Sequence, residues 1–179
     1  MDEYLLDAGQ VELAIKRRGG QAGVEIKGLV SRIARPIQFG NLIAQGQLWT
    51  KWTTESLSLD GMSTVKVCKT RWLRKFEVRD TLLREIHLGE EESPVSPAEE
   101  LAPEGCNLEL TELSLSPNGP KSSTLGFESF GSHESVEANL RRLIEHLART
   151  DIPKFQKGEE LSYPAWLARV SSIAIGRAI

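Results

Sequence analysis

The sequence contains few cysteines, no long apolar run and no excess of basic residues, and each shortage excludes a class of protein. Two cysteines, Cys68 and Cys106, give neither a disulfide framework nor the spacing of a metal site. No apolar stretch approaches the roughly 20 residues that a membrane-spanning helix needs. The net charge of −3 argues against a dedicated nucleic-acid binder, because such proteins normally carry a basic excess. We therefore expect neither nucleic acid nor a membrane as a partner.

The composition that remains is that of one globular domain. Hydrophobic residues make up 40% of the 179 residues, which excludes the disordered and collagen-like classes. A chain of this length buries roughly two-thirds of its unfolded surface, so its core needs no disulfide or metal. The first residues are acidic and include only one pair of leucines, which is unlike a signal peptide. The sequence therefore predicts a cytoplasmic protein whose cysteines are reduced.

An early hairpin is predicted from the alternation of apolar and polar residues. Residues 11–16 and 23–28 alternate on either side of an Arg-Arg-Gly-Gly turn. Side chains two residues apart share one face of a strand. We therefore expect Lys16, Glu25 and Lys27 on one face of the hairpin and its apolar side chains on the other.

Further strands are predicted up to residue 131. Residues 65–73, 108–115 and 124–130 alternate in the same way, and the last two runs are separated by a Pro-Asn-Gly-Pro turn. Residues 85–88 are predicted to pair with the strand that follows them. The acidic, proline-containing stretch over residues 89–105 is typical of an exposed loop.

Three tryptophans have two possible interpretations. Trp49 and Trp52 lie three residues apart, which favours a short helix or a packed loop over residues 42–59 rather than a strand. Together with Trp72 and the basic residues near them, they are suited to stacking a base or a thiamine ring. Packing in the core or at its rim is the simpler interpretation.

The periodicity changes after residue 131. Apolar residues now recur at spacings of three and four, which predicts an amphipathic helix capped near Ser132 and ending before Pro153. A second helix is predicted from Pro164. The sequence thus predicts a single α+β domain over residues 1–179, with an antiparallel strand-rich part over 1–131 and a helical part over 132–179.

Charged residues at alternating strand positions are the most informative feature. They are Lys16, Glu25, Lys27, Lys69, Arg71, Glu109 and Glu128. Taken one at a time, each is typical of the solvated face of a half-exposed sheet. If the sheet curls around that face, however, basic side chains from several strands converge on an anion, and the carboxylates are left to hold a divalent metal.

The order of these motifs resembles that of the CYTH superfamily, the triphosphate tunnel metalloenzymes. A hairpin over residues 11–28 is followed by a basic strand at 67–71 and by two acidic strands at 108–113 and 125–128. The resemblance covers roughly residues 4–147. It implies an antiparallel β-barrel or tunnel, or an open cup, whose interior binds a triphosphate together with Mg²⁺ or Mn²⁺.

The resemblance also implies roles for particular residues. Contacts to phosphate oxygens are implied for Lys16, Lys27, Lys69 and Arg71, and metal binding is implied for Glu109 and Glu128. The implied ligand is a small molecule with a polyphosphate group, such as tripolyphosphate, a nucleoside triphosphate or thiamine triphosphate. The implied reaction is the metal-dependent hydrolysis of a phosphoanhydride, for which the sequence identifies no catalytic base.

The chain departs from the family pattern in several places. Family members usually open with a Glu-x-Glu-x-Lys strand, which the first ten residues lack. We therefore expect that strand to be missing, either lost or left out by a late start, and the edge that it leaves to be open to a second subunit in a homodimer. Ala14 stands where an arginine is common, and Thr111 and Phe130 stand where further acids are expected.

Three functions remain open at this stage. The first is a metal-dependent triphosphatase. The second is a non-catalytic phosphate-binding protein of the same fold with a degenerate metal site, which the missing acids favour. The third is a structural cup in which lysines and glutamates on neighbouring strands merely offset one another.

Overall fold

The computed structural model describes residues 1–6, 11–19, 21–89, 92–95, 102–149 and 158–176, with side chains up to residue 170. Its strands are β1 (Asp2–Leu5), β2 (Leu13–Arg18), β3 (Val24–Arg32), β4 (Ile37–Phe39), β5 (Leu42–Ala44), β6 (Gln47–Thr54), β7 (Thr64–Arg79), β8 (Leu82–Ile86), β9 (Gly105–Ser114) and β10 (Ser122–Phe130). The helices are α1 (Val136–Leu147) and α2 (Tyr163–Gly176). The predicted α+β class is confirmed.

One antiparallel sheet contains most of the strands. Its order is β10-β9-β7-β1-β2-β3-β6, with β8 also paired to β7, while β4 and β5 form a separate pair. Across the described residues, the end strands β10 and β6 are not hydrogen-bonded to each other, so the sheet is open and not a closed barrel. Of the predicted alternatives, the open cup is therefore the consistent one.

The sheet curls strongly. Lys27 on β3 and Glu128 on β10 form an ion pair with 3.7 Å between Nζ and Oε1, although four strands separate β3 from β10 in the sheet order. The face that carries these two side chains is therefore the concave face. Because side chains alternate along each strand, the register assigns every other residue of the sheet to this face.

The predicted hairpin is confirmed in detail. Lys16 lies opposite Glu25 and Ala14 lies opposite Lys27 across β2 and β3. The apolar residue Ile15 lies opposite Ile26 on the other face. The alternation in the sequence thus gave the correct face for each residue of the hairpin.

The expectation that the first strand is missing needs correction. Residues 2–5 form β1, which is hydrogen-bonded to β2 on one edge and to β7 on the other. This strand is short and lacks the Glu-x-Glu-x-Lys signature, so the motif did not identify it. The homodimer was predicted from a free strand edge, but both edges of β1 are paired within the chain. No structural argument for a homodimer remains.

Two other local predictions are wrong. Trp49 and Trp52 belong to the strand β6, because pairing with β3 fixes an extended backbone that their spacing did not indicate. Residues 82–86 pair with the preceding strand β7, not with the following one. A tight turn at Asp80 and Thr81, both with positive φ (47° and 69°), reverses the chain between them, as in the two-residue turns of β-hairpins.

The two helices cover opposite faces of the sheet. Leu143, Ile144 and Leu147 of α1 pack with Phe76 and Cys106 on the convex face. Tyr163, Trp166 and Leu167 of α2 pack instead against the concave face, over a cluster that contains Tyr4, Val67 and Leu113. Within the described part of the chain, neither helix has the length and apolar character needed to cross a membrane.

Replacing Leu143 with alanine is expected to destabilise the fold by about 2–5 kcal/mol, because the fully buried side chain leaves a cavity between α1 and the sheet. The measurement is the free energy of unfolding in a urea titration. Leu82→Ala is the control, since Leu82 is 73% exposed and its truncation removes little buried surface. Equal losses in the two variants would contradict the placement of α1.

Candidate functional site

All six residues singled out as ligand contacts lie on the concave face. The register places them there on five strands: Lys16, Lys27, Lys69, Arg71, Glu109 and Glu128. Lys27 and Glu128 define the face, and Lys16 shares it because Ala14, two residues away, lies opposite Lys27. The structure thus brings together side chains that are up to 112 residues apart in the chain, while their roles remain predictions.

Two of the lysines share one carboxylate. The Nζ atoms of Lys16 and Lys69 lie 3.3 Å and 3.1 Å from the same oxygen, Oδ2 of Asp2. Asp2 can take this central position because β1 lies between β2, which carries Lys16, and β7, which carries Lys69. Burial opposes ionisation of Asp2, but the two ammonium groups outweigh it and lower its pKa.

A second carboxylate, Glu25, is also surrounded by basic groups. Lys16, Arg18 and Lys51 lie 3.3, 3.5 and 3.9 Å from its oxygens. Burial again opposes its ionisation, and the neighbouring cations lower its pKa overall.

We call Asp2, Lys16, Arg18, Glu25, Lys51 and Lys69 the basic cluster. In it, four basic side chains surround two carboxylates, so the cluster carries a local excess of positive charge. This excess contrasts with the net negative charge of the whole chain.

Lys69 is the most constrained member of the basic cluster. Its ammonium donates a 2.6 Å hydrogen bond to the hydroxyl of Tyr4 and lies 4.2 Å from the ring centroid of Tyr163. The two tyrosine rings are parallel within 5°, with their centroids 6.4 Å apart. Burial, together with repulsion from Lys16, lowers the pKa of Lys69 to about 8 in spite of the attraction of Asp2. The native fold therefore holds this lysine charged at a free-energy cost.

The positive charges of Arg71 and Lys27, the other two predicted phosphate contacts, are already paired with carboxylates. Arg71 contacts Glu109 at 3.2 Å and forms a two-point ion pair with Glu92. Lys27 pairs with Glu128. These side chains form the outer part of the concave face and add no excess charge.

The two glutamates predicted as metal ligands do not form a metal site. Glu109 accepts hydrogen bonds from Arg71 and from the Thr111 hydroxyl, the latter at 2.6 Å, and Glu128 is paired with Lys27. Over the ranges that the structure describes, no group of three or more His, Cys, Asp or Glu side chains is placed to hold a metal ion. The residues present therefore do not fit Mg²⁺ or Mn²⁺, which prefer several oxygen ligands, and metal binding remains a prediction.

Five residues of the site were missed from the sequence, among them Arg18 and Lys51 of the basic cluster. Asp2 and Tyr4 lie on the four-residue strand β1, which is too short for a recognisable alternation. Tyr163 lies at the start of α2 and reaches the site only because the helix folds back onto the concave face. The alternating pair Asp2 and Tyr4 was the only available signal.

The tryptophans do not form a stacking surface at the basic cluster. Trp52 and Trp72 lie on the convex face and are both 56% exposed. Trp49 shares the concave face with Lys51 but lies opposite Leu29, and its indole nitrogen donates to Gln47. The interpretation as packed or rim residues suits Trp49, while the other two are simply exposed.

Comparisons with protein-family models, with curated proteins and with solved structures find no significant match to this chain. The resemblance to the CYTH superfamily therefore remains a prediction.

Replacing Lys69 with methionine is expected to raise the free energy of unfolding of the ligand-free protein at neutral pH, by at most about 3 kcal/mol. Below pH 8 the lysine is protonated in both states, so the cost of burying its charge is fully present. As the pH rises from 8 towards the ordinary pKa of 10.5, the native state loses the proton first and the cost disappears. The advantage of the variant should therefore shrink across this window in urea titrations at several pH values.

Lys66→Met is the matched control for this measurement. Lys66 lies on the same strand, but it is exposed and on the convex face. Its replacement should give no advantage that depends on pH in this window. If Lys69→Met instead loses the same amount of stability at both ends of the window, the ion pair of Lys69 with Asp2 stabilises the protein by more than the burial of its charge costs.

Proposed function

We propose that the concave face binds a small molecule with a polyphosphate group, and that it does so without hydrolysing it. The ammonium groups of Lys16 and Lys69 contact the innermost phosphate, and Lys27 and Arg71 contact phosphates further out. The observation that supports this proposal most strongly is the sharing of Asp2 by two lysines whose side chains are only 11% and 20% exposed. In the basic cluster as a whole, Asp2 and Glu25 offset two of the four positive charges.

The energetics of the basic cluster favour an anionic ligand. A buried charge is costly unless it is paired and hydrogen-bonded. A phosphate group brings several charged oxygens, which accept strong hydrogen bonds from both ammonium groups at once. Groups with strongly perturbed pKa values are concentrated at functional sites, and Lys69 is such a group.

The proposal is limited to binding because the described residues support anion contacts alone. Glu109 and Glu128 are engaged by Arg71, Thr111 and Lys27. A purely structural cup is the remaining alternative, and it accounts for the balanced pairs of Arg71 and Lys27 but not for the excess charge of the whole basic cluster.

Tripolyphosphate is expected to stabilise the protein against thermal unfolding in the presence of a chelator. A ligand at a hundred times its dissociation constant adds about 2.7 kcal/mol to the free energy of unfolding. In Lys69→Met the stabilisation should be lost, because one of the two innermost contacts is gone. Lys66→Met, with its exposed lysine on the convex face, should behave like the unaltered protein.

Each outcome of this thermal measurement separates the alternatives. No shift with tripolyphosphate under any metal condition would refute the proposal and favour the structural cup. A shift that needs Mg²⁺ or Mn²⁺, accompanied by release of phosphate, would replace it with the hydrolase. An equal shift in all variants would place the anion elsewhere on the surface.

The variant Asp2→Asn distinguishes direct from metal-mediated binding. In direct binding, the Asp2 carboxylate competes with the ligand for Lys16 and Lys69, so its neutralisation should tighten tripolyphosphate binding about tenfold, or by ~1.4 kcal/mol. If a metal ion bridges protein and phosphate, loss of a carboxylate should weaken binding instead. The measurement is isothermal titration calorimetry, once with chelator and once with Mg²⁺, and weaker binding in Asp2→Asn would contradict the direct model.

A further inference from the structure

We infer that the ligand of the concave face carries an aliphatic group on its phosphate chain, and that this group binds in a cavity between β1, β2 and α2. This inference rests on the proposed function and adds to it the class of organic group. It makes Ala14, which lines the cavity on the same strand as Lys16, a specificity-determining residue.

The cavity lies where β1 and β2 separate. Over the described residues, the pairing of these strands ends at Tyr4 and Lys16, whereas β2 remains paired with β3 up to its first residue. Leu167 of α2 lies against the gap, and a cavity of about 230 Å³ remains between the helix and the strands. Lys16 belongs to the basic cluster, and the hydroxyl of Tyr4 accepts a hydrogen bond from Lys69. The cavity is therefore adjacent to the proposed anion site.

The lining of the cavity indicates which organic group it accepts. The hydroxyl of Tyr4 is the one polar side-chain group among the described residues that line it, and Lys69 already engages this hydroxyl. A nucleobase or a thiamine ring in the cavity would leave its polar atoms without side-chain partners, which is costly. A hydrocarbon group has no such atoms. The other lining side chains are aliphatic and include those of Leu5, Leu6, Leu13, Ala14, Leu167 and Ala168.

The volume of the cavity suits a short hydrocarbon chain. Protein interiors contain few voids larger than a water molecule, so a cavity of about 230 Å³ is not explained by ordinary packing. An apolar cavity of roughly 150 Å³ stays dry and binds benzene, so this one has room for a chain of about six carbons. Filling it removes apolar surface of both the chain and the cavity wall from water.

The position of Ala14 connects the cavity to the phosphate contacts. Ala14 lies opposite Lys27 and two residues from Lys16 on the same strand. Its Cα atom is thus about 5 Å from that of Lys27 and about 7 Å from that of Lys16. In a diphosphate whose terminal phosphate contacts Lys16 and Lys69, the esterified phosphate lies towards Lys27. The group attached to that phosphate then lies next to Ala14, at the cavity.

Hexyl diphosphate and methyl diphosphate test the inference, because they share one charged group and differ only in the length of the hydrocarbon chain. Burial of the additional methylene groups should make hexyl diphosphate bind at least about a hundredfold more tightly in calorimetric titrations with chelator present. Adenosine diphosphate carries the same charged group on a polar substituent. We expect it to bind within about threefold of methyl diphosphate.

Two variants fill the cavity from different walls. Ala14→Leu extends a side chain of β2, and Ala168→Leu extends a side chain of α2. In each variant the preference for hexyl over methyl diphosphate should fall by at least about tenfold, because the added carbons occupy the space of the hydrocarbon chain. Ala44→Leu is the matched control, since it makes the same change at an exposed position of β5, outside the large sheet. This variant should retain the full preference.

The outcomes separate this inference from the proposed function. If tripolyphosphate binds and the two alkyl diphosphates bind equally, the cavity takes no hydrocarbon chain, and the inference is overturned while the binding function stands. An undiminished preference in both Ala14→Leu and Ala168→Leu would also overturn it, because the chain would then bind elsewhere. If neither tripolyphosphate nor the alkyl diphosphates bind, the inference and the proposed function fall together. The second filling variant decides the matter if the first fails to fold.

Discussion

The contact of one carboxylate, Asp2, with the ammonium groups of Lys16 and Lys69 is the interaction on which the rest of the site depends. It joins three adjacent strands at the centre of the sheet, because β1 carries the acid and its two neighbours carry the bases. A sheet that is flat would leave these side chains in water, where ion pairs contribute little. The curl that brings β3 to β10 places them in a partly buried cup, where an unbalanced charge is costly.

The two faces of the sheet serve different purposes, and each has its own helix. On the convex face, α1 covers Phe76 and Cys106 and completes an ordinary apolar core. On the concave face, α2 covers the apolar end, over Val67 and Leu113, and Lys27 and Arg71 beyond it remain partly exposed. Strand β7 makes this division possible, because its concave side changes from valines to Lys69 and Arg71 along its length.

The basic cluster conflicts with stability in the empty protein. Lys69 lies between two tyrosine rings with a pKa lowered by burial, although a methionine of similar size would pack there without a charge. The outer pairs of Arg71 and Lys27 show that the same sheet can balance its charges where balance is all that is needed. An anion-binding site requires a positive charge that is costly to bury in the empty protein, and Lys69 carries such a charge.

The sequence by itself determined the strands β2, β3, β7, β9 and β10, their faces and the two helices, because alternation and helical spacing are local properties of the chain. It placed Lys16, Lys27, Lys69, Arg71, Glu109 and Glu128 on one side of the sheet, and the register agrees. Only the tertiary structure decided that Asp2 joins two of these lysines, that Trp49 lies in a strand and that Tyr163 lies beside Lys69. These features depend on pairing and packing between segments far apart in the chain, and such contacts leave no periodic signal in the residues that make them.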